Sequence, residues 1–439
     1  MMDQGGLRIS TAMTGPVLAL DFPSLHIGVA EYPDGPTGVT VFHFPDRAIG
    51  AVDVRGGAPG TYNTDWLKLG YGYRDLDAVT LAGGSWYGLA ACGGVAGALK
   101  ASGRRSGHWS NLANVAGAIV YDLGDRRTNE ITPDERLGAA ALMAARPGRF
   151  PLGAAGAGRM TIQGSYFGLW LHSGQGGACR SVGATKVACF TVVNAIGAVV
   201  DRAGRLAHGG QRVPSGETTM RELLALVPSG LDSGAQSLQG IRRKAPPNAR
   251  NTTISLVATN RKLDYSTLNR LAIQVHASMA RAIQPFATAN DGDVLFAVST
   301  DEVDDPAMHP AELAMLASEL MWDAVLASVP QIPALGTGGG GGPAAAACAG
   351  RYEFAPGASI TVMPLGGQRL GLTVSGERSL YEKPPGEGWE VELESDGSFA
   401  LDDVFVGGGR FVQGRGEIAS ELELNPGLWA QRGRRVQSL

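Results

Sequence analysis

The chain has few cysteines, and those it has are scattered. Among 439 residues, Cys92, Cys179, Cys189 and Cys348 form no CxxC pair. Small secreted domains that depend on disulfides are short and dense in cysteine, so this chain does not belong to that class. We therefore expect the four thiols to stay unpaired.

Long apolar runs are also missing. No stretch reaches the roughly 18 apolar residues that a membrane-spanning helix requires. The segment Met1–Leu20 lacks the basic start and the continuous apolar run of a signal peptide. The sequence therefore predicts a soluble cytoplasmic protein that has no membrane partner.

Charge is modest, at 18% of residues, and the net charge is −4. A nucleic-acid-binding protein would present a basic face, and the richest basic stretch here is only Arg242-Arg243-Lys244. We interpret that stretch as a solvated loop and expect no nucleic-acid partner.

Several chemical signatures are absent as well. The seven histidines show no HExxH spacing, and no GxSxG nucleophile elbow occurs. The glycines of segment 153–158 are out of register for a dinucleotide fingerprint, and no acidic residue follows at the required distance. We therefore expect no metal and no cofactor, and an α/β-hydrolase is disfavoured.

Glycine is abundant, with 64 residues and no collagen-like period, which favours tight turns and close packing. Apolar runs between turn residues predict strands, and apolar spacings of three and four residues predict helices. The main body is therefore mixed α and β. The predicted strands are 17–20, 26–30, 39–44, 50–54, 115–121, 186–200, 253–258 and 294–298. The predicted helices are 85–100, 136–145, 264–283 and 311–327.

The pattern changes after residue 335. The run of five glycines Gly338–Gly342, followed by Ala-rich sequence, is typical of a flexible linker, which we place at 336–349. Residues 350–439 then show short alternating strands and no helical period. The sequence predicts a main domain over 1–335, a linker and a small all-β domain.

The stretch Asn251-Thr-Thr-Ile, followed by Asp291-Gly-Asp-Val-Leu-Phe-Ala-Val, resembles the P1 (DmpA-type) peptidases, family S58. The Asp-Gly-Asp form is similar to the nylon-oligomer hydrolase branch of that family. Further segments resemble the same branch in collinear order, over about three quarters of the chain. They are 21–23, 35–38, 53–58, 81–84, 119–122, 193–194, 200–204, 274–279, 283–286 and 321–326.

The resemblance implies an α+β fold, a four-layer αββα sandwich resembling N-terminal nucleophile hydrolases, with the small C-terminal all-β domain appended. It also implies that the chain cuts itself between Asn251 and Thr252, giving fragments 1–251 and 252–439. Processed protomers of the family form homo-oligomers, which implies a tetramer here.

The expected chemistry explains why such a cut would activate the protein. A threonine hydroxyl is a poor nucleophile and requires an adjacent base. The α-amine of an N-terminal threonine has a reference pKa of about 7.7–8.0, so it can act as that base near neutral pH. Before cleavage the same nitrogen is an amide. The hydroxyl of Thr252 would attack the Asn251 carbonyl, and the resulting ester would hydrolyse.

The resemblance also assigns the partners of Thr252. Asp291 and Asp293 are its acidic partners, and two close carboxyl groups can have their pKa values pushed apart. Asn194 would stabilise the oxyanion, and Tyr121 would reach into the site and contact the substrate. By the same resemblance, Gly83 and Gly84 would line the cleft or allow close backbone approach.

The sequence departs from the family at one position. The related hydrolases have a lysine shortly before Gly-Gln-Gly. Here Gly174-Gln-Gly176 is present, but the matching position is Gly164 or Ser165. Lys186 could substitute only if the fold brings it near.

The predicted function is an amide hydrolase acting on peptide-like or ω-amino-acid oligomer amides through an acyl-enzyme. Three alternatives remain open: an aminopeptidase for small or β-amino N-terminal residues, a processing hydrolase of a biosynthetic pathway, and an unprocessed binding or scaffold protein. The sequence leaves endo- and exo-cleavage undecided.

Overall fold

The structure is a computed structural model. It describes residues 6–68, 74–211, 213, 218–225, 251–332, 341–401, 403, 405–414 and 418–437. The basic stretch 242–244 lies outside these residues. None of the helices in the described part of the chain is long and apolar enough to cross a lipid bilayer. The four cysteines are free thiols, as the sequence predicts.

The N-terminal region, defined here as the described residues up to 332, contains strands β1 to β15 and helices α1 to α5. The strands are β1 Val17–Ala19, β2 His26–Tyr32, β3 Thr37–Val54, β4 Thr61–Tyr62, β5 Asp75–Ala82, β6 Val115–Ile119, β7 Arg149–Pro151, β8 Ile162–Gln163, β9 Leu171–His172, β10 Gln175–Val182, β11 Thr185–Asn194, β12 Ala198–Val199, β13 Thr252–Arg261, β14 Ile283–Gln284 and β15 Val294–Val303. The helices are α1 Ala90–Ala101, α2 Glu135–Ala144, α3 Met220–Ala225, α4 Tyr265–Ser278 and α5 Pro310–Ala327.

One long sheet organises this region, in the order β10-β11-β13-β15-β3-β5-β6-β4, with β2 also paired to β3. The β13–β15 and β5–β6 pairs are parallel, and the other pairs are antiparallel. Strand β3 belongs to both halves of the sheet. Its first half pairs with β2 and β5, and its last residues pair with β15.

The sheet folds over itself at a break in β3. The register to β5 shifts between His43 and Ala48, and Arg47 has a φ of 64°. The sequence predicts two strands here, 39–44 and 50–54, whereas the structure has one bent strand. The backbone stays extended through Pro45 and Asp46, so the break changes direction without ending the strand.

The two sheet halves enclose an apolar layer. Phe42 from the first half contacts Phe190 from the second with ring centroids 4.9 Å apart, and Phe150 lies 4.9 Å from Phe190. Such aromatic contacts contribute about 0.5–1.5 kcal/mol each beyond area burial. Helices α4 and α5 cover the outer face of the β11–β13–β15 half, and α1 and α2 cover the other half. The described residues thus form the predicted αββα layers.

The predicted helices have regular apolar spacing, and N-terminal capping residues define where they begin. The Asp134 side chain accepts from Leu137 N at 3.0 Å to cap α2, and Asp264 accepts from Thr267 N at 2.9 Å to cap α4. Helix α5 starts with Pro310 at its first position, behind a capping box formed by His309 and Glu312. These caps satisfy amide groups that have no partner within the helix.

The C-terminal β-domain, defined here as the described residues from 341 to 437, is an antiparallel, barrel-like sheet in the order β19-β18-β17-β16-β23-β22-β21-β20. Its elements are α6 Ala345–Cys348, β16 Gly350–Ala355, β17 Ala358–Gly366, β18 Arg369–Gly376, β19 Gly388–Glu392, β20 Ser398–Ala400, β21 Gly408–Gln413, β22 Ala419–Leu424 and β23 Gln431–Gln437.

The linker predicted at 336–349 differs from the structure in its second half. Ala345 and Cys348, on α6, are buried in the core of the C-terminal β-domain, so this segment belongs to that domain. The Ala-rich composition suits a short helix packed against a sheet as well as it suits a linker. Residues 333–340 lie outside the described part of the chain.

Candidate active site

Thr252 is the first residue of β13 and is 4% exposed. Its neighbours along the strand, Ile254 and Leu256, belong to the apolar layer between the sheet halves. Because side chains alternate along a strand, Thr252 points to that same inner face. The Thr252 hydroxyl therefore lies at the end of the β13 strand, at the edge of the space between the two sheet halves.

The peptide bond before Thr252 is held by contacts on both sides. Thr252 Oγ1 donates to the Asn251 carbonyl oxygen at 2.6 Å, and Gly292 N donates to the same oxygen at 2.9 Å. The Asn251 side chain donates from Nδ2 to Ser165 Oγ at 2.9 Å. The carbonyl that would be attacked thus lies beside the predicted nucleophile, and it already accepts a backbone donor.

Gly292 lies directly against Thr252. A Cβ on residue 292 would come within 2.7 Å of Thr252 Oγ1 and within 2.7 Å of the Ala58 carbonyl oxygen. Asp291 O accepts from Ala58 N at 2.8 Å, so the 55–58 turn packs onto this loop. The middle residue of the Asp-Gly-Asp motif must therefore be glycine for the loop to approach the threonine this closely.

The two predicted carboxyl groups flank Gly292 and are buried. Asp291 accepts from Thr288 Oγ1 at 3.0 Å and from Ile196 N at 3.4 Å. Asp293 accepts from Thr253 N at 2.7 Å and from Ala287 N at 2.9 Å. Backbone and hydroxyl donors thus fix both groups beside Thr252.

Burial is the main cause of the raised pKa values of Asp291 and Asp293. Desolvation raises the pKa of Asp291 to about 6. Desolvation, followed by the nearby charge of Asp291, raises the pKa of Asp293 well above its ordinary value. Hydrogen bonds to the ionised carboxylates oppose these shifts without cancelling them. A carboxyl group that titrates near working pH is suited to proton transfer.

Asn194, the last residue of β11, is opposite Thr252 in the β11–β13 ladder. Directly paired residues have Cβ atoms about 5 Å apart, so the two side chains are neighbours. Asn194 Oδ1 accepts from Arg126 Nη1 at 2.9 Å and from Ile162 N at 3.2 Å. Its Nδ2 donates to the Tyr121 carbonyl oxygen at 3.1 Å, which leaves its second N–H for another acceptor.

Tyr121 is linked to the site through its backbone. Its carbonyl accepts from Asn194, and its hydroxyl lies beside Gly124, where an added Cβ would be 2.9 Å away. The side chain is half-buried. The contacts thus join Tyr121 to the predicted oxyanion donor by its main chain, and the predicted substrate contact by its side chain stays a prediction.

Gly83 and Gly84 pack against Asp122, the neighbour of Tyr121. A Cβ at Gly83 would come within 2.3 Å of Asp122 Oδ2, and Gly84 N donates to Asp122 Oδ1 at 2.7 Å. Asp122 also forms a fully buried ion pair with Arg127 at 3.4 Å. These glycines therefore permit a close backbone turn next to the site, and a direct contact with substrate stays a prediction.

The position of the absent lysine is part of the site. Ser165, one of the two matching positions, accepts from Asn251, whereas Lys186 pairs with Asp21 at 2.8 Å. Lys186 is near the start of β11 and Asn194 is at its end. Eight residues of strand span about 26 Å, so Lys186 does not substitute for the family lysine.

Two further residues of the site are not among the predicted ones. Ser165 is singled out only as one of the two positions that match the family lysine, with no role of its own. Arg126 stands in an ordinary Gly-Asp-Arg-Arg turn, so the sequence alone gives no signal for it. Gly292 also belongs to the site, and its place between the two predicted aspartates could have identified it from the sequence.

Comparisons with known proteins identify the family of this chain. The model of peptidase family S58 matches residues 19–332. The chain is 40% identical over 323 residues to the 6-aminohexanoate-oligomer endohydrolase of Paenarthrobacter ureafaciens, covering 71% of this chain and 85% of that protein. It is 36% identical over 289 residues to an uncharacterized aminopeptidase of Mycobacterium leprae, covering 63% and 75%.

Among solved structures, the L-aminopeptidase D-Ala-esterase/amidase of Ochrobactrum anthropi matches 72% of this chain and 88% of its own, with 17% identity and a TM-score of 0.49. The family match extends from the first strand to the end of the N-terminal region and includes every residue of the site described above. The chain belongs to peptidase family S58 and is an amide-bond hydrolase.

Proposed function

We propose that this protein is a self-processing amide hydrolase that uses Thr252 as an N-terminal nucleophile. The observation that carries the proposal is the pair of contacts on the Asn251 carbonyl. Thr252 Oγ1 lies 2.6 Å from that oxygen, and Gly292 N–H donates to it at 2.9 Å. An oxygen nucleophile and a backbone oxyanion donor thus meet at one buried peptide bond.

Self-processing begins when Thr252 Oγ1 attacks the Asn251 carbonyl carbon. The hydroxyl proton passes to a base, for which Asp291 and Asp293 are the candidates because they flank the glycine that touches Oγ1. The C–N bond then breaks, the nitrogen takes up a proton, and an ester joins Asn251 to Oγ1. Water hydrolyses that ester and releases the Asn251 carboxylate and the free amine of Thr252.

Substrate hydrolysis repeats the same chemistry with the new amine as base. The Thr252 hydroxyl attacks the substrate amide, the amine accepts and returns the proton, and water releases the acyl group. Asn194 supports this step because its side chain neighbours Thr252, and its second amide N–H, which has no acceptor among the residues that the structure describes, is available for an oxyanion. The Asp291 and Asp293 pair also offers negative charge for a cationic substrate amine.

Processing is tested by intact mass spectrometry of the purified chain. We expect the wild-type protein to yield fragments 1–251 and 252–439, whose masses add up to the uncleaved chain plus one water. Thr252→Ala removes the nucleophile and should give one full-length species with no amidase activity. Thr252→Ser keeps an oxygen nucleophile and is the matched control. A cleaved T252A protein, or a wild-type protein that stays whole for days, would contradict the proposal.

For the substrate we propose peptide-like or ω-amino-acid oligomer amides, supported by the 40% identity to 6-aminohexanoate-oligomer endohydrolases. The second candidate is an aminopeptidase for small or β-amino N-terminal residues, supported by the 36% identity to an aminopeptidase relative. A panel of 6-aminohexanoate oligomers, β-dipeptides and ω-amino amides separates them. Internal cleavage of oligomers blocked at both ends supports the first, and activity restricted to free amino termini supports the second.

We further propose that the processed protein is a cytoplasmic homo-oligomer, a tetramer in keeping with the family. The four unpaired thiols are consistent with a reducing compartment. Light scattering coupled to size exclusion measures the assembly, and a monomer at micromolar concentration would contradict this part of the proposal.

A further inference from the structure

The C-terminal β-domain packs onto segments of the N-terminal region that lead directly to the active site. Trp429 stacks on His172 with ring centroids 3.6 Å apart, and Phe405 lies 5.5 Å from Trp170. Met160 and Ile162 belong to the same apolar cluster as the core of the β-domain. The backbone N–H of Ile162 is one of the donors to Asn194.

Gln431, at the start of β23, joins the two domains through hydrogen bonds to residues 126 and 128. It is 3% exposed. Its Oε1 accepts from Thr128 N at 2.6 Å and from Thr128 Oγ1 at 2.7 Å. Its Nε2 donates to the Arg126 carbonyl at 3.0 Å and to the Tyr381 hydroxyl at 2.9 Å. Both ends of the amide are in use, so only a glutamine-like side chain satisfies the set.

The segment that Gln431 holds carries a buried guanidinium. Arg126 ends the short 3-10 turn Gly124–Arg126 and is 4% exposed. Its Nη1 donates to Asn194 Oδ1 at 2.9 Å and to the Met160 carbonyl at 3.1 Å. Hydrogen bonds from a charged donor are about twice as strong as neutral ones. This bond fixes which end of the Asn194 amide faces Arg126, and it draws electron density from the amide toward Oδ1.

The contacts therefore connect the β-domain to the nucleophile in three steps: Gln431 binds the backbone of Arg126, Arg126 binds Asn194, and Asn194 is opposite Thr252 in the β11–β13 ladder. Taking a guanidinium out of water costs several kcal/mol. Packing between the two domains does not require the buried Arg126 guanidinium, because the apolar contacts of Trp429 and Phe405 already join the domains.

We propose that Arg126 is a positioning residue that orients and polarises the Asn194 amide for acyl transfer, and that the C-terminal β-domain holds Arg126 in place through Gln431. The β-domain is then part of the catalytic unit rather than an independent binding module. The inference rests on the proposed function, since it assigns Asn194 the role of oxyanion donor to the Thr252 reaction.

The first test replaces the guanidinium. Arg126→Met keeps an unbranched apolar stem but lacks the guanidinium group with its charge and donors. We expect kcat to fall about 10- to 100-fold with KM changed less than about threefold. Arg126→Lys keeps the charge and should recover part of kcat. A purely structural role would lower the unfolding temperature of both variants alike and leave kcat of the folded protein intact, which would overturn the proposal.

The second test breaks the contact from the β-domain in the full-length chain. Gln431→Leu removes the hydrogen bonds to residues 126 and 128, and Gln431→Glu keeps the shape but turns an acceptor toward the Arg126 carbonyl. We expect about a tenfold loss of kcat in both variants. The matched control is Arg378→Ala, which cuts the exposed Arg378–Glu130 ion pair between the same two domains at 2.9 Å and should leave kcat unchanged.

Hydrogen–deuterium exchange supplies a readout that does not depend on turnover. Peptides covering 121–131 should exchange faster in the Gln431 variants and as in wild type in R378A. Unchanged exchange and unchanged kcat in the Gln431 variants would overturn the inference while the T252A result leaves the proposed function standing. If the wild-type protein hydrolyses no amide, the proposed function fails, and exchange still decides whether Gln431 holds the Arg126 segment.

Discussion

Asp291 is a buried carboxyl group whose acidity links stability to pH. Desolvation raises its pKa to about 6, from an ordinary value of 3.8. The folded protein therefore binds this proton more tightly than the unfolded chain. The stabilisation is fully present below the unfolded pKa and is lost as pH rises through about 6.

Asp291→Asn should remove this pH dependence. Each pH unit between the folded and unfolded pKa values corresponds to about 1.4 kcal/mol. Between pH 3.5 and pH 7, the parent should therefore lose about 3 kcal/mol of unfolding free energy that the variant does not lose. Urea unfolding in a T252A background measures it on an uncleaved chain. The exposed Asp301→Asn is the control, and curves for D291N and its parent that run parallel with pH would contradict the assignment.

Gly292 is a position where one added methyl group should slow the proposed self-cleavage. In Gly292→Ala the new Cβ would meet Thr252 Oγ1 and the Ala58 carbonyl at 2.7 Å, so the loop must withdraw from the nucleophile. Misplacement of reacting groups by about 1 Å costs about 100-fold in rate. We expect self-cleavage to slow by that order, followed as fragment appearance on denaturing gels. Gly97→Ala, which has open space around it, should process at the wild-type rate.

At the scale of residues, the sequence indicates which residues lie in the site better than it indicates which residues contact each other. The structure brings Asn194, Asp291 and Asp293 together near Thr252, because β11, β13 and β15 are adjacent in the sheet, and their roles stay predictions. Arg126 and Ser165 reach the site through turns whose course depends on tertiary packing. No local pattern in the sequence encodes that course. Arg126 could therefore not be predicted, and Ser165 appears in the sequence only as a position that matches the family lysine.

Helices α1 and α2 approach each other at two glycines. A Cβ on Gly94 of α1 would lie 2.0 Å from the Glu135 carbonyl, and one on Gly138 of α2 would lie 2.1 Å from the Ala91 carbonyl. The small residues therefore set the distance between the helix axes. The helical pattern predicts both helices, and the structure confirms them with ends that differ by a few residues.

Gly94→Ala and Gly97→Ala form a matched pair on helix α1. Gly94→Ala must push α2 away and should lower the free energy of unfolding by about 1–3 kcal/mol. Gly97 is exposed with open space around it, so Gly97→Ala should raise the free energy of unfolding by about 0.5–1 kcal/mol through helix propensity. Denaturant midpoints measure both. Equal effects would show that the glycines do not set the helix spacing.

Strand β3 marks the limit of prediction at the scale of elements. Pro45-Asp46-Arg47 is typical of a turn, and the sequence accordingly predicts two strands. The extended backbone of the same residues is maintained because β5 pairs with β3 on both sides of the register shift. Pairing of this kind is a non-local interaction, and it decides whether a local turn signal ends a strand.

For the whole molecule, we expect the two fragments to stay together after cleavage. Strand β13 of the second fragment lies between β11, from the first fragment, and β15. Separation would expose the apolar layer between the sheet halves. Native size exclusion should therefore show one particle where a denaturing gel shows two bands, and elution of free fragments at neutral pH would contradict this arrangement.

The family and the αββα layers follow from the sequence because collinear motifs fix the order of the strands. The C-terminal β-domain is also visible in the strand pattern after residue 350. Its docking onto 126–130 and 159–172 is not, because the contacts join residues that are some 300 positions apart, such as Thr128 and Gln431.

The hydrogen bonds around the Asn251 carbonyl have a consequence for the kinetics of the proposed activation. Gly292 N–H donates to the Asn251 carbonyl, Asn194 lies opposite Thr252, and the Asn251 side chain donates to Ser165. In the proposed reaction, the carbonyl of a substrate would take the same place. In the proposed cleavage, the new chain end at Asn251 would therefore form inside the cleft, as a product that has not yet left. We therefore expect the new chain end to block the cleft at first, so full activity should lag behind the proposed cleavage by the time that this end needs to withdraw.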